Sequence, residues 1–263
     1  MVRGQGFQSI EALAGQFGVT PQTIRRDVNQ LCDRGLLRRR HGGVELPPLE
    51  SNLAYSDRKV MNLEAKRRIA ALVARQIPDG ASISLGIGTT PEQVARALLD
   101  HSNLVVVTNN LNAAVALAAN PTAEIVVAGG RLRNLDLDVM GGDTPQFFER
   151  FRVDYAIFGV GAVDADGSLL DFHLDEVRVR MAMAANCRQR FLVLDHSKFG
   201  RAASVRGGRL DEVSALFTDR QVPPAATATL AAAGVAVHVW PERNGANSAR
   251  RRRNSRARRR TDS

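Results

Sequence analysis

Two groups of side chains in this 263-residue chain have the types and spacing to recognise charge. In the first, Gln22, Thr23, Arg25, Arg26 and Asn29 alternate with the apolar positions Ile24, Val28 and Leu31, which recur at i, i+4 and i+7. On a helix that period gathers the apolar residues on one face and leaves the polar ones outward. Arg makes bidentate contacts to guanine and Gln to adenine in a major groove, so the outward face has the composition of a recognition helix. The run Leu36-Leu37-Arg38-Arg39-Arg40-His41-Gly42-Gly43-Val44 then reads as a basic β-hairpin, a wing whose charge suits phosphates. The plain alternative is a helical hairpin with a solvated basic face.

The second group is spread along the chain. After the apolar run Ile83 to Ile87, Gly88 lets the backbone turn, Thr90 is expected to cap a helix and Pro91 to open it. The free N–H groups and dipole of such a helix start make an anion site, to which Thr89 and Thr90 add hydroxyls. Thr108-Asn109-Asn110, Gly129-Gly130-Arg131, Gly159 to Gly161 and Asp195 to Lys198 also follow apolar runs. Arg131 and Lys198 supply charge suited to a phosphate, while Asn110 and Glu176 can hydrogen-bond hydroxyls. Taken singly, each is equally a cap or a surface salt bridge. His41, His101, His173, His196 and His238 are scattered without the paired spacing of metal ligands, so neither metal nor cofactor is expected.

The elements that must position these residues follow from periodicity. Ser9 can cap a helix to Phe17, with Leu13 and Phe17 facing the same core as Ile24, Val28 and Leu31; Gly18 permits a turn, and Thr20-Pro21 starts the second helix. Farther on, β-rich runs occur at 83–87, 104–107, 125–128, 155–160, 191–194, 215–217 and 235–239, with helical patterns at 63–76, 91–99, 112–119 and 176–187. Strands alternating with helices imply an α/β fold with a parallel, doubly wound sheet, on whose carboxyl edge the polar clusters converge. The boundaries expected are a DNA-binding domain at 1–45, a linker at 46–62 carrying Pro47-Pro48 and Ser51-Asn52, an effector and oligomerisation domain at 63–242, and a disordered tail at 243–263.

The net charge of +9 does not by itself argue for nucleic acid. Nine of the 36 basic residues and one of the 27 acidic ones lie in residues 243–263, leaving 27 against 26 elsewhere. The local motif must carry that claim. Cys32 and Cys187 are too few for a disulfide framework, and no apolar run approaches the roughly 18 residues of a membrane span. A cytoplasmic protein is expected.

The stretch from Ser9 to Val44, including Thr20-Pro21-Gln22-Thr23-Ile24-Arg25-Arg26-Asp27-Val28 and His41-Gly42-Gly43, resembles the helix-turn-helix of the DeoR-type bacterial repressors. The resemblance runs to about Asp219 through Gly88-Thr89-Thr90, Thr108-Asn109-Asn110, Ala128-Gly129-Gly130 and Asp195-His196-Ser197-Lys198-Phe199-Gly200. It implies a winged helix-turn-helix on an effector domain like the ribose-phosphate isomerase and coenzyme-A transferase fold. It further implies a homo-oligomer that binds operator DNA and releases it to a small phosphorylated effector. Ser168-Leu169-Leu170-Asp171-Phe172, Glu176-Val177-Arg178 and Asp195 to Arg201 point within the family to glycerol 3-phosphate, with another sugar phosphate as the alternative.

An isomerase-like enzyme is the alternative of a different class. Isomerases of that fold carry acidic residues after the strand that begins here at Asp154, where this chain has Ile157-Phe158-Gly159-Val160-Gly161; Glu176 or Asp171 would have to be the base. The family also starts with a helix ahead of the one at Ser9. Met1 to Gln8, with Gly4 and Gly6, is too short to supply it, so the first helix is expected to be missing, Leu13, Ile24 and Val28 to be partly uncovered, and operator binding to be weak.

Overall fold

The computed structural model describes residues 2, 6–33, 37–45 and 55–240. Near the amino end, helix α1 (Ile10–Phe17) is capped by the Ser9 hydroxyl, which accepts from Ala12 N at 3.0 Å, and ends at Gly18 in the left-handed conformation, φ 64°. Helix α2 (Pro21–Asp33) begins beside the Thr20 hydroxyl, which accepts from Thr23 N at 3.2 Å. The strands β1 (Gln8–Ser9), β2 (Arg38–Arg40) and β3 (Gly43–Glu45) form a small antiparallel sheet in the order β1-β3-β2, so the expected hairpin has a third strand.

Two expectations fail here. Leu13, Ile24 and Val28 are covered, at 5%, 6% and 6% exposure, because Val44 of β3 and the partly buried Val2 close the cluster from the other side. Phe17 is 61% exposed, since the core takes Ile10, Leu13 and Ala14 and the last turn of α1 projects beyond it.

All seven apolar runs become strands of one parallel sheet. They are β4 (Ser82–Leu85), β5 (Val105–Thr108), β6 (Glu124–Val127), β9 (Val153–Phe158), β12 (Cys187–Val193), β14 (Ala215–Thr218) and β15 (Ala236–Val239). Their order is β15-β14-β12-β9-β4-β5-β6. Side chains alternate across the sheet: Ile83, Leu85, Ile157, Phe191 and Val193 join one core, whereas Ala156, Phe158, Leu192, Leu194 and Leu216 join the other. Both faces of the inner strands are therefore covered, which is why these read as nearly unbroken apolar runs, while the edge strands β6 and β15 remain partly exposed. The helices α4 (Leu63–Ala74), α5 (Thr89–Ala97), α6 (Leu111–Leu117) and α8 (Leu174–Ala185) occupy the four expected helical windows.

Between these lie elements that periodicity does not reveal. A hairpin joins β7 (Arg131–Arg133) to β8 (Asp138–Met140), and α7 (Asp143–Glu149) follows it. A second antiparallel sheet is built of β10 (Ala162–Val163), β11 (Ser168–Asp171) and β13 (Val205–Arg209), and α9 (Pro224–Ala232) precedes the last strand. The expected linker is corrected in part: Tyr55–Val60 is a helix, α3, with Tyr55 and Asp57 buried against the body. The rest of its Pro-rich part, residues 46–54, and the Arg-rich tail lie outside the described residues. No described helix is long and apolar enough to cross a membrane.

Candidate functional site

The strand order reverses between β4 and β9: from β4 the chain proceeds to β5 and β6 on one side, and from β9 to β12, β14 and β15 on the other. Open α/β sheets leave a crevice beyond the carboxyl ends of the strands at such a point. A cavity with about 440 Å³ of space between atoms, part of it open to solvent, lies there. Ile87 and Gly88 line it after β4, Gly159 to Gly161 after β9, and Lys198 after β12.

One side of it starts with Gly88, the residue before the first turn of α5, at φ 107°. That positive φ suits glycine, and the turn falls at Gly88 as expected, but the helix opens two residues earlier than expected. Helical backbone then begins at Thr89, so Thr90 is not the cap and Pro91 is the third helical residue. Thr89 and Thr90 are buried in the first turn, beside the cavity and not on its wall. Lys198 is half-buried on the wall, its pKa pushed down to about 8 by desolvation and then by the nearby charge of Arg201. Asp195 works the other way. Burial disfavours its charge, but the Ser197 hydrogen bonds and Lys198 outweigh that and hold its pKa below the usual range.

Another part of the wall is a network of carboxylates and guanidinium groups. Arg133 donates to both oxygens of Asp138, at 2.7 and 2.6 Å, and to Glu176 Oε1 at 2.8 Å. Burial opposes the charge of Arg133, yet Asp138 and then Glu176 hold its pKa above the ordinary range. Burial raises the pKa of Glu176 despite Arg133. Asp171 accepts from Arg180 at 2.8 Å and from Gly161 N at 2.7 Å. Such groups accept from and donate to hydroxyls in fixed directions.

The sequence-derived residues thus divide. Gly88, Glu176 and Lys198 meet at the cavity. Asn110, 1% exposed, is already committed: its Oδ1 caps α6 through Ala113 N, and its Nδ2 donates to the carbonyls of Gly86 and Gly88. It shapes the Gly88 turn from behind. Arg131 is exposed, and the arginine on the wall is Arg133, drawn in by Asp138 directly across the hairpin. Tyr55, Arg58, Arg133 and Asp138 were missed as site residues; the alternation of Arg131-Leu132-Arg133 and Asp138-Val139-Met140 was the available signal for the last two.

At the amino end, Gln22, Thr23, Arg25, Arg26 and Asn29 are all exposed on α2, as are Arg39, Arg40 and His41 on the hairpin. Arg40 lies 3.0 Å from Glu45 across the hairpin, and Arg25 lies 3.9 Å from Glu11. Both arginines are 61% exposed, so these surface pairs hold them only loosely. Arg38 lies in β2. The Thr23 hydroxyl shares a 3.0 Å hydrogen bond with Thr20, which places it in the helix cap as well as on the outward face.

A helix-turn-helix with a basic wing, followed by a parallel α/β body with a charged cavity at its switch point, defines a DNA-reading protein with a ligand-sensing domain. Residues 1–48 match the DeoR-like helix-turn-helix domain, and residues 61–220 match the DeoR C-terminal sensor domain. The chain belongs to the DeoR family. It is 48% identical over 223 residues to the glycerol-3-phosphate regulon repressor of Escherichia coli (strain K12), covering 85% of this chain and 88% of that one. To the protein of the same name from Haemophilus influenzae it is 50% identical over 218 residues, covering 83% and 85%. Among solved structures, ribose 5-phosphate isomerase A from Methanocaldococcus jannaschii is similar over 53% of this chain and 56% of that one, at 18% identity and a TM-score of 0.39.

Proposed function

We propose that the protein is a cytoplasmic transcriptional repressor, acting as a homo-oligomer, whose hold on operator DNA is relieved by glycerol 3-phosphate. Residues 1–45 read the operator, and the body from α3 onward senses the effector. The observation that carries the sensing half is the placement of Lys198 and the Gly88 turn on one cavity with Asp171 and Glu176. The first pair suits a phosphate, and the second suits the hydroxyls of a short polyol. Two repressors named for the glycerol-3-phosphate regulon, at 48% and 50% identity, support the choice of polyol. Asp171 and Glu176 each have a guanidinium partner, which favours binding over proton abstraction.

For the effector to act, it must bind the arrangement that releases DNA more tightly than the one that holds it. A thermal-shift panel of glycerol 3-phosphate, free glycerol and fructose 1-phosphate, paired with operator gel shifts, tests the reading. Glycerol 3-phosphate should raise the melting temperature and release operator, and glycerol should do neither. A response to fructose 1-phosphate alone would refute the assigned effector.

A further inference from the structure

Helix α3 follows the segment that leads away from the wing strand β3, and it brings two side chains, Tyr55 and Arg58, to the cavity. It is fastened to the body by polar contacts. The Tyr55 hydroxyl donates to Glu92 Oε2 of α5 at 2.8 Å, Lys59 Nζ lies 3.1 Å from Glu92 Oε1, and the buried Lys66 ammonium of α4 donates to the carbonyls of Arg58 and Met61. Arg58 itself forms an ion pair with Asp136 in the turn of the β7–β8 hairpin, with the two side chains 17% and 20% exposed. One guanidinium therefore faces the cavity and ties α3 to the hairpin that supplies Arg133 and Asp138 to the same wall.

The electrostatics show what would compete for it. Arg58 lies close enough to Lys198 and Arg201 for its charge to lower the pKa of both, so like charges converge on this side of the cavity. Among the described residues Lys198 forms no salt bridge, and Asp136 is shared with the more distant Arg133 at 4.0 Å. A dianion entering beside Lys198 would offer Arg58 a bidentate partner of higher charge than Asp136.

We propose that Arg58 is an effector-binding residue that exchanges Asp136 for the ligand's phosphate. The exchange parts α3 from the hairpin and so carries occupancy of the cavity to the segment leading to the DNA-binding end. This inference rests on the anionic-effector reading above and names its regulatory contact.

The experiment uses the full chain and two probes. With inorganic phosphate, calorimetric titration should show Arg58→Gln binding at least about tenfold more weakly than the unaltered chain. Asp136→Asn, which removes the competitor, should bind more tightly. The double variant R58Q/D136N leaves no unpaired charge at this contact and serves as the folded control if R58Q alone is unstable. Operator affinity is the second readout: ligand-free Asp136→Asn should already bind operator about fivefold or more weakly, as the effector-bound chain does. Phosphate binding unchanged in both single variants would overturn the contact, and wild-type operator affinity in D136N would overturn the coupling. If these results hold while glycerol 3-phosphate fails to release operator from the unaltered chain, the assigned effector is wrong and the inference stands.

Discussion

Effector affinity should fall steeply above pH 8 through one side chain, Lys198. Desolvation, then Arg201, brings its pKa down to about 8, whereas a bound phosphate favours the protonated ammonium. Only the protonated fraction is competent, and the apparent dissociation constant scales inversely with that fraction. At pH 9 about one molecule in eleven remains protonated, so the constant should be about tenfold higher than at pH 7. On the acid side the limit belongs to the ligand, whose phosphate loses its second proton at about pH 6. The profile of affinity is thus a plateau between about pH 6.5 and 8 with a tenfold-per-unit descent above it. Calorimetry with glycerol 3-phosphate from pH 6 to 9.5 reads this directly. Lys198→Arg keeps the charge at every pH and should bind more weakly overall but flatten the descent, because guanidinium does not titrate here. The free chain should respond with the opposite sign. Lys66 and Lys198 both fall from 10.5 to about 8 on folding, so the unfolded chain binds more protons between those values and stability rises with pH across them. A wild-type affinity flat from pH 7 to 9.5, or the same descent in Lys198→Arg, would refute the reasoning.

Two further predictions concern other parts of the chain. Arg25→Ala and Arg26→Ala should each relax sequence preference at one operator position by about 1–3 kcal/mol, whereas Arg39→Ala should weaken binding to all sequences alike and flatten its salt dependence, as read by gel shift across a salt series. Arg180→Met should lower stability by about 3–5 kcal/mol in denaturant unfolding, because Asp171, 6% exposed, is left buried without its partner, and adding Asp171→Asn should restore much of the loss.

The five inner strands of the body were legible because their carboxyl-terminal halves are buried on both faces and demand apolar residues there, while the edge strands β6 and β15 stand out through their valines although they are partly exposed. The recognition helix was legible for the complementary reason, that Ile24 and Val28 fix its buried face and leave Arg25 and Arg26 no other direction. Two of the elements that escaped, α3 and the β7–β8 hairpin, are held largely by charge, whereas α7, β10, β11 and α9 add Phe148, Val163, Leu169 and Leu230 to the apolar core from segments too short to show a period. Helix α3 shows no apolar period; its end is held by the buried Lys66, and Tyr55 is buried through its hydroxyl bond to Glu92, 37 residues away, a separation no local pattern records. The same holds for the hairpin, where Arg133 and Arg131 are indistinguishable until Asp138 is placed opposite one of them. Thr90 misled because a Thr-Pro pair is a common helix start, whereas the φ of Gly88 sets the true one.

Those two charge-held elements border the cavity, and the pattern of pairing bears on what it would select. On the cavity wall the carboxylates Asp138 and Glu176 share Arg133 and Asp171 has Arg180, while Asp136, behind the wall, has Arg58. Each acidic group on that wall is therefore fixed in direction and partly neutralised before a ligand arrives, which suits oriented hydrogen bonding to hydroxyls. Lys198 is the exception, half-buried with its pKa lowered by desolvation and no salt bridge among the described residues. A neutral polyol would satisfy the carboxylates and leave that ammonium desolvated and unpaired, a penalty that only an anion removes. Discrimination between glycerol and its phosphate is therefore expected to turn on Lys198, whose charge Asp195 supports only in part, rather than on the size of the cavity.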